Sequence, residues 1–222
     1  MPETSERDLR QTIIDLCREM NANGLNQGTS GNISLRLGDR MLITPTATPY
    51  DSMTPEMIVS MPMSGDGSDW QGPIAPSVEW RFHREILRRR PDMNAVVHAH
   101  STFCTVMAIA RRDIPACHYM VAAFGGSDVR CAGYARYGTA ELSQLALEAL
   151  EGRTACLLAN HGMIAMGETL DKAMWRAVEL ETLARQYFHS LQIPGGPVIL
   201  SEEEIAETLQ GFGTYGFQSD AA

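Results

Sequence analysis

The 222-residue sequence lacks the features of several large classes of protein. Its net charge of −9 leaves no basic surplus to neutralise phosphates, which argues against nucleic-acid binding. No apolar run approaches the ~20 residues that a membrane-spanning helix needs, and the acidic N-terminus does not resemble a secretory signal. The five cysteines are odd in number and lack C-x-x-C spacing, so we expect reduced thiols and a cytoplasmic location.

Internal repeats, linkers and low-complexity segments are also missing, which favours a single domain over residues 1–222. Alternating apolar residues at 33–37 and an apolar run at 41–44 flank Gly38 and Asp39, which indicates a β-hairpin. Amphipathic helical patterns precede and follow it. We therefore predict an α/β fold with helices layered around a mixed, largely antiparallel sheet.

The segment Ala95 to His100 reads as a short buried strand that ends in two histidines. Side chains two residues apart in a strand point the same way, so His98 and His100 can converge on one metal ion. Taken alone, an H-x-H pattern favours two hydrogen-bonded histidines at a strand end. The metal interpretation therefore depends on finding further ligands.

His161 is the third candidate ligand, because it also follows a buried strand and Gly162 lets the chain turn behind it. Three imidazoles with an open fourth position are typical of catalytic zinc. Ser77 predicts the N-cap of a helix over 78–90, which places Glu79 in its first turn. Glu79 either stabilises that turn or serves the metal as fourth ligand or general base. His83 is a rival ligand, although an exposed or helix-packing role is favoured.

Two polar turns, 26–32 and 44–49, are rich in glycine or in hydroxyl side chains. Each is explained as an ordinary connection between elements. Together they also predict a cradle of N–H groups and hydroxyls for an anion. Since the glycine loop lacks the lysine of a P-loop, nucleotide binding is not expected.

With these segments in hand, the chain resembles the class II aldolase/adducin superfamily. The matching segments occur in family order and cover nearly the whole chain; they are 24–32, 41–46, 79–83, 95–100, 118–120, 160–162 and 214–216. The resemblance implies a single-domain, three-layer fold with helices flanking the sheet, and a homotetramer with active sites between subunits. It also implies that the C-terminal tail, from about residue 201, contributes to the site.

The resemblance assigns roles to single residues. His98, His100 and His161 match the family's zinc ligands, and Glu79 matches a glutamate that ligates the resting metal and exchanges protons with substrate. Tyr119 matches a tyrosine that a neighbouring subunit brings to the aldehyde oxygen. The C-terminal match is Tyr215, and the phosphate-binding matches are Gly31, Asn32, Thr46 and Ser77.

The implied reaction is the reversible cleavage of a ketose 1-phosphate to dihydroxyacetone phosphate and an aldehyde, through an enediolate that zinc stabilises. Manganese or cobalt are alternative metals. The chain has Val78 where the family's cradle has a second serine, and Ala47 where it has glycine. Loss of a hydrogen bond to a charged group costs about 1.5–3 kcal/mol, which weakens phosphate binding. A decarboxylase or dehydratase of a related sugar acid or keto acid therefore stays open; an epimerase or a non-catalytic adducin-like module is disfavoured.

Overall fold

A seven-stranded sheet forms the centre of the structure, a computed structural model that describes residues 5–212. The strands are β1 (Asn32–Leu37), β2 (Arg40–Ile43), β3 (Val59–Pro62), β4 (Ala95–Ala99), β5 (Ile114–Pro115), β6 (Asp128–Val129), β7 (Cys131–Ala132), β8 (Ala155–Leu158) and β9 (Gly162–Gly167). The α-helices are α1 (Glu6–Ala22), α2 (Trp80–Arg89), α3 (Thr102–Ile109), α4 (Ala140–Ala149), α5 (Leu170–Ser190) and α6 (Glu202–Phe212).

The main sheet has the strand order β3-β2-β1-β4-β9-β8-β7, and β5 and β6 pair separately. All neighbours in the main sheet run antiparallel except β7 and β8, which are parallel. This confirms the predicted mixed, largely antiparallel sheet. The β1–β2 hairpin and the strand at 95–99 are also confirmed.

Helices cover both faces of the sheet, and each face has its own apolar core. One core contains Ile13 of α1, Cys104 of α3 and Leu180 of α5. The other contains Phe82 of α2 and Leu142 of α4. The predicted arrangement of helix, sheet and helix is therefore correct.

The prediction for the start of α2 was wrong by two residues. The helix begins at Trp80, and Glu79 occupies the N-cap with non-helical backbone (φ −95°, ψ 6°). Ser77 does not cap the helix, and its hydroxyl accepts a hydrogen bond from the Glu79 N–H instead. The backbone of Glu79 thus belongs to the turn before α2, and its side chain points towards the sheet, where it contacts Asn32 of β1 and His98 of β4.

Among the described residues, no helix is both long and apolar enough to cross a membrane. Ser5 and Ser101 stand at the N-cap positions of α1 and α3. Tyr215, with the tail segment around it, lies outside the described residues.

Candidate active site

The pairing of β4 with β9 brings the three predicted metal ligands together. His98 lies near the end of β4 opposite Ile164 of β9, and His100 follows directly after the strand. His161 lies in the turn that leads from β8 into β9. Because β4 and β9 are antiparallel neighbours, the end of one strand meets the start of the other.

The three imidazoles form a nearly equilateral cluster. Their ring centroids lie 4.9 Å (His98–His100), 4.8 Å (His98–His161) and 4.9 Å (His100–His161) apart. One ligand nitrogen from each ring lies within 4.8 Å of the other two. His98 is fully buried whereas His100 and His161 are partly exposed, so the cluster is closed on one side and open on the other.

A backbone hydrogen bond orients His98 for binding a cation. Its Nδ1 lies 2.8 Å from the Met163 carbonyl oxygen, so Nδ1 carries the proton and donates it. The Nε2 lone pair is therefore directed into the cluster, which is the usual arrangement of a metal-ligating histidine. Burial lowers the pKa of His98 to about 4, and burial lowers the pKa of His100 as well, so both rings are neutral at pH 7.

Glu79 completes the cluster with its carboxylate. Its Oε2 lies 3.3 Å from His98 Nε2, and its Oε1 lies 3.2 Å from His161 Nε2. Burial raises the pKa of Glu79, but the two imidazoles and a hydrogen bond from Asn32 outweigh burial and hold this pKa well below its ordinary value. Glu79 is thus an ionised carboxylate in a nearly buried position.

These donors fit a divalent cation. Four ligands at about 2.0–2.1 Å in tetrahedral geometry lie about 3.4 Å from one another. The two carboxylate–imidazole distances are close to that value, and His98 Nε2 lies 3.1 Å from His100 Nε2. Within the described residues, Glu79 Oε1 is buried without a hydrogen-bond partner. A cation in the cluster would satisfy this oxygen and the converging lone pairs.

His83 is not part of the cluster and packs from α2 against the sheet, as the helix-packing alternative predicted; the exposed alternative is wrong. Its side chain is fully buried, and it contacts Ser34 Oγ and Asn32 Oδ1. Asn32 also donates a hydrogen bond of 2.8 Å to Glu79 Oε2. One signal was available in the sequence, because Asn32, Ser34 and Arg36 are polar at alternating positions of a strand whose other residues are apolar.

The predicted phosphate-binding residues come from turns that lie side by side. Thr46 N–H donates to the Ala75 carbonyl and Ser77 N–H donates to the Thr44 carbonyl, which joins two of the segments. An added Cβ at Gly31 would lie 2.9 Å from the His98 carbonyl oxygen, so this position requires glycine. The Asn32 side-chain amide donates its hydrogen bond to Glu79 Oε2.

The two departures from the family pattern are visible in the structure. Ala47 has a φ of +48°, a left-handed conformation that glycine adopts more easily than alanine. Val78 is about half exposed and offers no hydroxyl beside Ser77. The turn therefore keeps its shape without the glycine, but it has one donor fewer.

Tyr119 does not join the histidine cluster within one chain. It is half exposed and lines a cavity of about 740 Å³ together with Lys172, Trp175 and Phe212. Among the described residues that line this cavity, none belongs to the histidine–glutamate cluster.

Comparison with known proteins identifies the family of this chain. The profile of the family described as "Class II Aldolase and Adducin N-terminal domain" matches residues 11–188. A 5-methylthioribulose-1-phosphate/5-deoxyribulose-1-phosphate aldolase from Rhodospirillum rubrum is 52% identical over 208 residues, covering 94% of this chain and 92% of that protein. The L-fuculose phosphate aldolase of Escherichia coli K12 is 50% identical over 210 residues, covering 95% and 96%. A solved L-fuculose 1-phosphate aldolase superposes with a TM-score of 0.89 at 36% identity, covering 96% of this chain and all of that one.

The chain therefore belongs to the class II aldolase and adducin family. Within that family it is a class II aldolase, a carbon–carbon lyase of the fuculose-1-phosphate and methylthioribulose-1-phosphate type.

Proposed function

We propose that the protein is a zinc-dependent aldolase that reversibly cleaves a ketose 1-phosphate to dihydroxyacetone phosphate and an aldehyde. The observation that carries the proposal is the convergence of three imidazoles and one buried carboxylate at the open end of the sheet. His98, His100 and His161 would hold the cation, with Glu79 alongside. Manganese and cobalt are alternative metals for the same donors.

When bound, the cation supplies positive charge that stabilises the negative charge developing on the substrate oxygens as the carbon–carbon bond breaks. A Schiff-base mechanism needs a lysine at the site, and the only lysine in the sequence is Lys172. Its ammonium group lies over the Trp175 ring in the cavity that Tyr119 lines, apart from the histidine–glutamate cluster.

Glu79 would move the proton that the reaction requires. As an ionised carboxylate it can remove a proton from the carbon next to the carbonyl in the condensation direction. In the cleavage direction the same group, in its protonated form, returns a proton to that carbon. Asn32 occupies Oε2 with a hydrogen bond, so Oε1 is the oxygen left for proton transfer. Gly31, Thr46 and Ser77, with the main chain of Asn32, would hold the phosphate.

In the condensation direction, Tyr119 would donate a proton to the aldehyde oxygen as the carbon–carbon bond forms, in the site of a neighbouring subunit. In the cleavage direction, the substrate hydroxyl would return that proton to Tyr119 as the aldehyde leaves. Its place in a cavity apart from the cluster supports a homotetramer with sites between subunits. Tyr215, outside the described residues, is proposed to act near the same site. The free state of all five cysteines supports the proposed cytoplasmic location.

The related aldolases are named for ketose 1-phosphates that differ in their aldehyde halves. We therefore expect the zinc-loaded protein to release dihydroxyacetone phosphate from at least one of L-fuculose 1-phosphate, 5-methylthioribulose 1-phosphate and 5-deoxyribulose 1-phosphate. Relative kcat/KM values across this panel would identify the aldehyde half.

A second candidate function is decarboxylation or dehydration of a related sugar acid or keto acid. The missing hydroxyl at Val78 favours it, because a weaker phosphate cradle suits a substrate without phosphate. Zinc-loaded protein that cleaves none of the three ketose phosphates would support this alternative. A non-catalytic adducin-like role is disfavoured by the complete set of histidines and Glu79.

A further inference from the structure

A chain of four buried polar side chains leads from the interior of the sheet to Glu79. Ser34 Oγ lies 2.7 Å from His83 Nδ1, and His83 Nε2 contacts Asn32 Oδ1. Asn32 Nδ2 in turn lies 2.8 Å from Glu79 Oε2. Ser34 and His83 are fully buried, and the other two residues are nearly so. Because a buried polar group is costly without a partner, these side chains depend on one another.

The charge on Glu79 sets the direction of every hydrogen in this chain. A carboxylate only accepts hydrogen bonds, so Asn32 must turn its NH₂ group towards Glu79 and its carbonyl oxygen towards His83. His83 must then carry its proton on Nε2 and accept the Ser34 hydroxyl proton on Nδ1. Burial lowers the pKa of His83 to about 3, so the ring is neutral and has only one N–H to place.

We propose that His83 is a positioning residue that acts through Asn32 to fix the Glu79 carboxylate beside the histidine cluster. The proposal rests on the function proposed above and adds a residue that touches neither substrate nor metal. The aligned donors strengthen one another in a buried environment. These hydrogen bonds hold Glu79 Oε2 as an acceptor, so that Glu79 Oε1 faces the histidine cluster.

The first test reads the tautomer of His83 in metal-free protein by ¹⁵N NMR of labelled histidine. We expect the His83 signal, assigned by its loss in His83→Gln, to show a protonated Nε2. His98 should show the opposite tautomer, with a protonated Nδ1. A His83 ring protonated on Nδ1 would overturn the proposal, whatever reaction the protein catalyses.

The second test compares zinc affinity, by competition with a chelator, and steady-state kinetics among variants. His83→Phe removes both ring nitrogens, whereas His83→Gln keeps an N–H where Nε2 was. Ile86→Val, one turn further along α2, controls for a small change in the same core. Loss of an outer hydrogen bond typically costs about 10- to 100-fold in metal affinity or activity.

We expect His83→Phe to lose about 10- to 100-fold in zinc affinity and to lower kcat more than it changes KM. His83→Gln should recover most of both losses, and Ile86→Val should match the wild type. If His83→Phe does not fold, Ser34→Ala replaces it, with a smaller loss in the same two quantities. A folded His83→Phe or Ser34→Ala protein with wild-type zinc affinity and kcat would contradict the positioning role.

These outcomes separate the two proposals. A wild-type protein that binds no zinc, or that binds zinc and releases no dihydroxyacetone phosphate, refutes the proposed function. If the wild-type protein binds zinc and releases dihydroxyacetone phosphate, and folded His83→Phe has the same zinc affinity and kcat, only the role of His83 is refuted.

Discussion

At the scale of single residues, burial keeps the imidazoles of His98 and His100 neutral, while the neighbours of Glu79 keep its carboxylate charged despite burial. The low pKa values of His98 and His100 leave their lone pairs free at pH 7. Glu79 stays ionised because two imidazoles and Asn32 surround it. The neutral rings of His98 and His100 beside one carboxylate are the deprotonated ligands that a divalent metal requires.

His83 makes the stability of the metal-free protein depend on pH. Its pKa falls from an ordinary 6.5 to about 3 in the folded state, so below pH 6.5 the unfolded chain binds a proton that the folded chain refuses. The free energy of unfolding therefore falls as the pH drops from about 6.5 towards 3. A single histidine of this kind contributes a slope of about 1.4 kcal/mol per pH unit.

Urea unfolding of chelator-treated protein between pH 4.5 and 7 measures this slope. We expect His83→Gln to unfold with a pH slope shallower than that of the wild type by about 1.4 kcal/mol per unit below pH 6. Identical slopes would show that His83 is not buried as a neutral ring.

Residue types and spacing were enough to predict the ligands, but not the partners that hold them. His98, His100 and His161 each stand at a strand end, and this is visible in the sequence. The Asn32–Glu79 hydrogen bond joins residues 47 positions apart and leaves no local signal. Asn32 was therefore predicted only as a phosphate ligand, and His83 was expected at the surface or in simple helix packing.

At the scale of elements, the turn from β8 into β9 places His161. Asn160 adopts a left-handed backbone (φ +55°), and the next residues reverse the chain against the end of β4. An added Cβ at Gly162 would lie 2.5 Å from the Ala99 carbonyl oxygen and 2.8 Å from His100 Cδ2. The close approach of the two segments therefore requires glycine.

We expect Gly162→Ala to displace His100 and to lower zinc affinity about tenfold or more, the order of loss seen when metal ligands are misoriented. Isothermal titration of the metal-free protein with zinc measures this effect. Gly133→Ala is the matched control, since its added Cβ would make only ordinary contacts of 3.4 Å or more with the Leu145 side chain. Equal zinc affinity in the two variants would contradict the role of the turn.

Elements with a local signal were predicted well, and their boundaries less well. Alternating apolar residues around Gly38 and Asp39 define the β1–β2 hairpin, and the structure has it. The start of α2 was misplaced because Ser77 has the chemistry of an N-cap, while tertiary contacts of Glu79 decide where the helix begins.

At the scale of the whole molecule, the site depends on contacts that no local pattern specifies. β4 lies between β1 and β9, so the centre of the sheet joins distant parts of the chain. The sequence predicts the strands and their mixed pairing, but their order follows from packing of the two cores. The three-layer fold and the roles of single site residues were predicted from the family resemblance, because the spacing of apolar residues indicates only the separate helices and strands.

Assembly is predicted to complete each active site with a tyrosine from a neighbour. Glu79→Gln and Tyr119→Phe proteins should each have low kcat. If the two residues act from different subunits, dissociating and reassembling an equal mixture should restore activity, because some sites then contain both native residues. A mixture no more active than its components, in confirmed hybrid oligomers, would place Tyr119 and Glu79 in the same subunit's site or remove Tyr119 from the reaction.

The most direct test of the account is the zinc content of the purified protein and of two variants after metal removal and reloading. We expect about one zinc per wild-type chain, bound by three imidazole nitrogens at about 2.0–2.1 Å in an X-ray absorption spectrum. His98→Ala should bind none, while Glu79→Gln should still bind zinc, with lower affinity, and lose about 10²- to 10⁴-fold in kcat. Unchanged zinc binding in His98→Ala, or no zinc in the wild type, would contradict the three-histidine metal site.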